Sequence, residues 1–295
     1  MRIVSLLPSA TEMLFALGAG DDVVGVTFEC DTPAEARERP IVSTSTLPEG
    51  LSPAEIDAAV TARLAAGEDL YHLDAGALAG LDADLVVTQD LCAVCAVDVS
   101  VVDDALAYLG CRADVLTLDP QDLDEVLASV ATLGAACDRS TEAADLTAGL
   151  HERLDAVRRS VAGRAPVPVM VLEWTDPPFT PGHWVPDMVA AGGGRSVLGS
   201  PGARSERTTW EAVAAAAPEI LVAAPCGFGL DDAARLAGDA CRAGALPGVP
   251  LWAVDANASF ARPGPRLADG VEALAAILHP DAGLTPDPAM ARRIR

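Results

Sequence analysis

The sequence predicts an α/β fold of two lobes, each a mainly parallel sheet flanked by helices, joined by one long helix. Short apolar runs alternate with amphipathic segments, which is the pattern of parallel strands with helical crossovers. Residues 141–161 carry apolar side chains at helical spacing without a proline, so this segment is long enough to link two lobes. A chain of 295 residues also exceeds one ordinary core and suits two modest domains.

Apolar runs of strand length and helix start signals place the individual elements. Ser9-x-x-Glu12 is a capping box that predicts a helix ending at Gly18, and Asp119-Pro120 predicts the start of another. Gly163 and Pro166 end the linking helix. The predicted strands are residues 3–6, 23–27, 85–88, 115–118, 167–173, 220–224 and 252–255. We therefore expect a first lobe over residues 1–138, a connecting helix over 139–163 and a second lobe over 164–295.

Charge and composition exclude several function classes. The net charge of -23 would repel phosphate backbones, so nucleic acid is not an expected partner. The sequence has no apolar stretch near the roughly 20 residues of a membrane span, and membrane insertion is not expected. The first residues have no pattern of an export signal, which predicts a cytoplasmic protein with reduced cysteines. The sequence contains no Gly-x-Ser-x-Gly nucleophile motif, which favours a binding protein over an enzyme.

The loops that follow the predicted strands are the candidate site, because ligands of open parallel sheets bind outside the carboxyl ends of the strands. Aromatic residues (Phe, Trp and Tyr) make up only 4% of the chain, yet five of them fall in predicted loops of the second lobe. They predict an aromatic-walled pocket for a large ligand, with local core packing as the alternative. The candidate ligand-binding residues are Pro8, Ser9, Glu29, Asp31, Asp90, Leu91, Trp174, Phe179, Trp184, Phe228, Phe260 and Arg262.

Thiols are concentrated in the same loops. The stretches ADLVVTQDLC and PEILVAAPC form a weak internal repeat, and each places a cysteine just past a predicted strand. Cys92-x-x-Cys95 has four interpretations: a metal site, a redox pair, part of a ligand pocket, or small core residues. The candidate ligands of a zinc or iron ion are Cys30, Cys92, Cys95, His183 and Cys226.

Several stretches resemble the substrate-binding proteins of the cobalamin and iron-siderophore uptake family. They are RIVSLLPSATEMLFALG, ADLVVTQDLC and PEILVAAPCGF, together with the long central helix. The chain is most similar to the cobalamin-binding group through ECDTP, DPPFTPGHWVPDMVAAGG and SFARPGPRLADGVEALAAILHP. The resemblance implies the class III substrate-binding architecture and a relation to ABC transporters. It also implies that a cobalamin or a similar large cofactor binds in the cleft between the lobes.

Two alternatives to this binding function remain open from the residues. The first is a metalloprotein, possibly catalytic, that holds zinc or iron with the loop cysteines in the same cleft. The second is a chain that binds a protein partner through that cleft.

Overall fold

The fold is described from a computed structural model, and the description covers residues 1–48, 50–89, 102, 106 and 113–295. The chain forms two compact units. Unit 1 consists of Met1–Pro120 and Leu127–Thr147, and unit 2 consists of Gln121–Val126 and Ala148–Arg295.

Unit 1 is built on a six-stranded sheet with the order β4-β3-β2-β1-β5-β6. The pairs are parallel except for β3 with β4. The strands are β1 Ile3–Ser5, β2 Val23–Thr27, β3 Ile41–Ser45, β4 Tyr71–Leu73, β5 Leu85–Thr88 and β6 Asp114–Thr117. Helices α1 Pro8–Ala16, α2 Pro53–Ala66 and α3 Ala75–Ala79 lie between them.

The sheet of unit 1 is apolar on both faces, as a parallel sheet covered on both sides must be. Alternate residues of one strand enter different clusters: Ile3 packs with α1, and Val4 packs on the opposite face. Two longer helices follow the sheet, α4 Leu123–Ala136 and α5 Ser140–Val161. Helix α5 begins among the residues of unit 1 and continues among those of unit 2.

Unit 2 is built on a five-stranded sheet with the order β10-β7-β11-β12-β13, in which only β13 runs antiparallel to its neighbour. The sheet strands are β7 Val167–Leu172, β10 Gly194–Ser196, β11 Ile220–Ala223, β12 Leu251–Val254 and β13 Ala291–Arg293, and a separate hairpin consists of β8 Trp174–Thr175 and β9 Pro178–Phe179. The helices are α6 Val185–Ala191, α7 Trp210–Ala215, α8 Leu230–Arg242, α9 Ala256–Ser259 and α10 Leu267–Leu278.

The predicted fold class is confirmed, since both units contain a mainly parallel sheet with flanking helices. The internal repeat also has a structural counterpart. Strands β5 and β11 hold the same place in their sheets, because each pairs with the first strand of its unit on the side opposite the second strand. Strands β3, β4, β8, β9, β10 and β13 were not predicted, and helices α2, α3 and α6 to α10 were not placed individually. Among the described residues, no helix has the length and apolar character that a bilayer crossing requires.

Candidate functional site

The switch point of the unit 2 sheet lies between β7 and β11. The chain leaves β7 for β10 on one side and then returns to β11 on the other side, and such a reversal opens a crevice at the carboxyl ends of the strands. Trp174 follows β7 and Phe228 follows β11, and their ring centroids are 5.7 Å apart at an interplanar angle of 49°. Both side chains are half-buried. The switch point therefore carries a tilted aromatic pair with exposed ring surface.

Backbone and carboxylate hydrogen bonds hold the loops around this pair. The Glu173 carboxylate accepts from the Gly182 N–H at 2.8 Å, and the Glu173 carbonyl accepts from the Cys226 N–H at 3.1 Å. Gly182 has no room for a side chain, because a Cβ atom there would lie 2.3 Å from the Ser205 nitrogen. The loop after β9 is thus tied both to the end of β7 and to residues 203–205.

Phe179 lies in the small hairpin beside the aromatic pair. Its backbone bridges to Arg207, and the Arg207 guanidinium carbon lies 6.0 Å from the centroid of its ring. Phe179 is half-buried and Arg207 is exposed. A ring and a cation therefore stand side by side at this edge, and both are accessible to a ligand.

Two of the aromatic residues predicted to contact the ligand lie in the interior of the fold. Phe260 is 2% exposed and Trp184 is 6% exposed, and the Trp184 indole N–H donates to the Phe260 carbonyl at 2.7 Å. Arg262, two residues later, is 9% exposed. For the rings of Trp184 and Phe260 the core-packing alternative describes the environment better than a pocket wall does.

His183 adopts an uncommon backbone conformation with φ of 49°. Its N–H donates to the Ala203 carbonyl at 2.6 Å, and its ring lies 5.6 Å from that of Trp184. The Nε2 atom is buried and has no hydrogen-bond partner within the described part of the chain. Burial, and secondly the nearby Arg204 charge, lowers the pKa of His183, so the ring is neutral at pH 7.

In unit 1 the predicted residues that follow β1 are buried in the first turn of α1. Pro8 begins that helix and Ser9 is 3% exposed. The Thr11 hydroxyl lies 2.8 Å from Ser5 Oγ, 3.1 Å from the Leu7 carbonyl and 3.0 Å from Cys30 Sγ. Cys30 is 3% exposed and belongs to the core cluster. Its thiol therefore has the surroundings of a core cysteine.

A second aromatic pair lies at the carboxyl edge of the unit 1 sheet. Phe28 follows β2 and is 40% exposed, and its ring centroid lies 6.3 Å from that of Tyr71. Tyr71 opens β4 and pairs with Ser45, the last residue of β3, so both rings belong to the same edge. Sequence reasoning missed this pair, because the loop after β2 was read from Glu29 onward. The position of Phe28 directly after the strand was the available signal.

The remaining candidates divide into two groups. Glu29 and Asp31 are half-buried beside Phe28, and Asp31 forms an ion pair with Arg37 at 3.7 Å. Asp90, Leu91, Cys92 and Cys95 lie outside the described residues. Within the described ranges, no three His, Cys, Asp or Glu side chains are grouped so that they could hold a metal ion. A zinc or iron site that uses Cys92 and Cys95 stays a prediction.

Comparison with known families decides the class of protein. A family model described as "Periplasmic binding protein" matches residues 3–239 of the chain. The chain belongs to the periplasmic binding protein family. This match confirms the resemblance that the sequence motifs indicated. None of the curated proteins compared with the chain is a significant match.

Solved periplasmic binding proteins share the fold at low sequence identity. A periplasmic heme binding protein from Pseudomonas aeruginosa aligns with a TM-score of 0.73 at 20% identity, over 98% of this chain and 96% of that one. The heme-binding protein BhuT, in complex with two hemes, gives a TM-score of 0.70 at 22% identity, over 95% and 98% of the two chains. The vitamin B12 binding protein BtuF of Vibrio cholerae gives 0.63 at 21% identity, over 96% and 97%.

The expected cytoplasmic location is wrong. The family and the similar structures are periplasmic binding proteins, which function outside the cytoplasm. The expectation rested on the first residues, which form β1 and α1. Residues that form part of the folded domain do not indicate the compartment in which the protein functions.

Proposed function

We propose that this periplasmic binding protein binds a tetrapyrrole, with cobalamin as the first candidate and heme as the second. The observation that carries the proposal is the half-exposed Trp174–Phe228 pair at the switch point of unit 2. The Phe28–Tyr71 pair at the corresponding edge of unit 1 supports it.

A tetrapyrrole fits these surfaces because of its shape and its mixed polarity. The flat faces of a macrocycle pack well on aromatic side chains, which offer a large apolar area at a low cost in conformational entropy. Its rim carries amide or carboxylate groups that need polar partners. In unit 2 the exposed Arg207 beside Phe179 offers a cation, and the loop backbone offers N–H and carbonyl groups.

The proposed role is binding and delivery of the tetrapyrrole to an ABC importer in the membrane, without a chemical reaction. Family membership supports this role. The similar structures include a heme binding protein and a vitamin B12 binding protein, which supports the ligand class and leaves the choice within that class to experiment.

Tryptophan fluorescence tests the proposal, because a bound corrin or porphyrin quenches nearby indoles. The purified chain is titrated with cyanocobalamin and with hemin in separate experiments. We expect saturable quenching by one of them with a Kd at or below about 1 µM. The absence of saturable binding of both would overturn the proposal.

Variants of the aromatic pair locate the binding surface. Trp174→Ala and Phe228→Ala should each weaken binding about 30-fold, as truncation of a central aromatic anchor costs about 2 kcal/mol. The matched control is Trp252→Phe, since Trp252 lies within β12 and pairs with Arg293 of β13, away from the carboxyl edge. Affinity equal to that of the unchanged chain in both alanine variants would place the ligand elsewhere.

A further inference from the structure

Residues 46–48 and 50–70 form an arm that leaves and rejoins the carboxyl edge of the unit 1 sheet. Strand β3 ends at this edge, and β4 begins there because it runs antiparallel to β3. Two bonds close the base of the arm: the Thr46 N–H donates to the Leu70 carbonyl at 2.9 Å, and Arg63 Nη1 donates to Thr46 Oγ1 at 2.6 Å. The arm therefore stands on the edge that also carries Phe28 and Tyr71.

Local interactions define the helix of this arm. Ser52 and Glu55 form a reciprocal capping box before α2, and the Glu55 carboxylate accepts from the Ser52 N–H at 2.8 Å. Gly67 ends the helix in the left-handed conformation with φ of 69°. None of the 14 residues of α2 is buried. The helix is thus well terminated, and all of its side chains keep some exposure to solvent.

Helix α2 carries an apolar stripe along one face. Ile56, Val60 and Leu64 follow each other at intervals of four residues, which places them on the same side of the helix. Ile56 and Val60 are half-buried, and Leu64 is 42% exposed. A row of branched apolar side chains that stays partly exposed to water is typical of a surface that contacts another molecule.

The position of the arm favours the ligand as that molecule. Leu70, its last residue, directly precedes Tyr71, so a ligand on the Phe28–Tyr71 pair lies at the base of the arm. A second copy of the chain is disfavoured, because each copy carries a net charge of -23. We propose that Ile56, Val60 and Leu64 form a further apolar contact surface for the tetrapyrrole. This inference rests on the proposed function.

The first test changes the stripe and compares it with the opposite face of the same helix. The triple variant Ile56→Ser, Val60→Ser, Leu64→Ser should weaken tetrapyrrole binding at least about ten-fold, because three apolar contacts are lost. The matched control is Ala58→Ser, Ala62→Ser, Ala65→Ser, which alters three exposed positions and lowers helix propensity at least as much. It should bind as the unchanged chain does.

The second test follows the arm by trypsin digestion, since Arg63 is its one basic residue. A saturating tetrapyrrole, cyanocobalamin or hemin, should slow cleavage after Arg63 by at least about five-fold. Cleavage after Arg242, exposed at the end of α8 in unit 2, is the internal control and should change less.

The outcomes separate this inference from the proposed function. If Trp174→Ala loses binding while the stripe variant matches its control, the inference fails and the proposed function stands. Cleavage after Arg63 could instead slow as the protein concentration rises, whether or not tetrapyrrole is present. That result would place a second copy of the chain on the stripe and would also overturn the inference. If the unchanged chain binds no tetrapyrrole, both fail.

Discussion

The two units build the same kind of sheet edge but use its polar groups differently. In each unit the first strand lies between the second strand and a later one, so both edges have a switch point. In unit 1 the polar groups at this point, Ser5, Thr11 and Cys30, are buried and contact one another. In unit 2 Glu173 and His183 lie in half-buried loops. A shared topology therefore gives one edge whose polar groups support the fold and another whose polar groups lie at the proposed ligand site.

The largest expected effect is on stability and comes from unit 1. Thr11→Val keeps the shape of the side chain but removes the hydroxyl that contacts Ser5, Leu7 and Cys30. We expect the free energy of unfolding to fall by about 2 kcal/mol, because buried polar partners are left unsatisfied. Urea unfolding measures this loss, and Thr11→Ser should retain most of the stability. A valine variant as stable as the unchanged chain would contradict the structural role of this cluster.

The matching change in unit 2 should act on ligand affinity. Glu173→Ala removes the acceptor of the Gly182 N–H and loosens the loop beside Phe179. We expect about a ten-fold loss of tetrapyrrole affinity. The change in unfolding free energy should be about 1 kcal/mol, because Glu173 is only half-buried and a water molecule can replace its carboxylate beside the buried Gly182 N–H. Glu173→Gln keeps an acceptor oxygen and serves as the control. If Glu173→Ala binds tetrapyrrole as tightly as the unchanged chain, the polar groups of the unit 2 edge do not serve ligand binding, and the proposed difference between the two edges is wrong.

A smaller effect is expected from the ion pairs between α5 and α10. Arg153 Nε and Nη2 donate to the two oxygens of Glu272 at 2.8 Å, and Nη2 also contacts Asp269. These carboxylates raise the pKa of Arg153 further. The Arg153 side chain is 39% exposed, so Arg153→Met should cost only about 0.5–1 kcal/mol, and less in 1 M salt. Urea unfolding at two salt concentrations checks this, and an equal loss at both would contradict the ionic origin.

The smallest effect is a pH dependence from His183. Burial lowers its pKa in the folded state, so the unfolded chain takes up the proton more readily. The free energy of unfolding should therefore fall as the pH drops below about 6.5, the ordinary value, and this ring should contribute no slope well above it. His183→Asn suits the positive φ and lacks the titration. Urea unfolding at pH 5.5 and 7.5 should show the larger acid loss in the unchanged chain; equal losses would contradict it.

The sequence was sufficient to predict the parts of the fold that local patterns determine. Continuous apolar runs identify central parallel strands such as β5 and β7, and regular apolar spacing identifies α5, observed as Ser140–Val161. Strand β3 escaped prediction because IVSTS is an apolar start followed by polar residues, with Ile41 itself 52% exposed. Helix α2 has a visible capping box in Ser52–Glu55 but a short apolar stripe, which gives a weak periodic signal.

The candidate site was predictable in its location and less so in its members. The rule on carboxyl ends placed Trp174 and Phe228 after their strands, and both lie there. The same rule cannot separate them from Trp184 and Phe260, because the burial of those rings depends on contacts between residues 76 positions apart. Phe28 and Tyr71 became a pair only through the antiparallel return of β4, which the sequence did not predict.

The most direct test of tetrapyrrole binding is retention of the ligand by the purified chain. The chain is mixed with excess cyanocobalamin or hemin, passed through gel filtration, and the visible spectrum of the protein peak is recorded. We expect one of the two to elute with the protein at a fixed stoichiometry and with a shifted absorption band, and we expect Trp174→Ala to retain much less of it. Elution of both tetrapyrroles apart from the unchanged protein would contradict it.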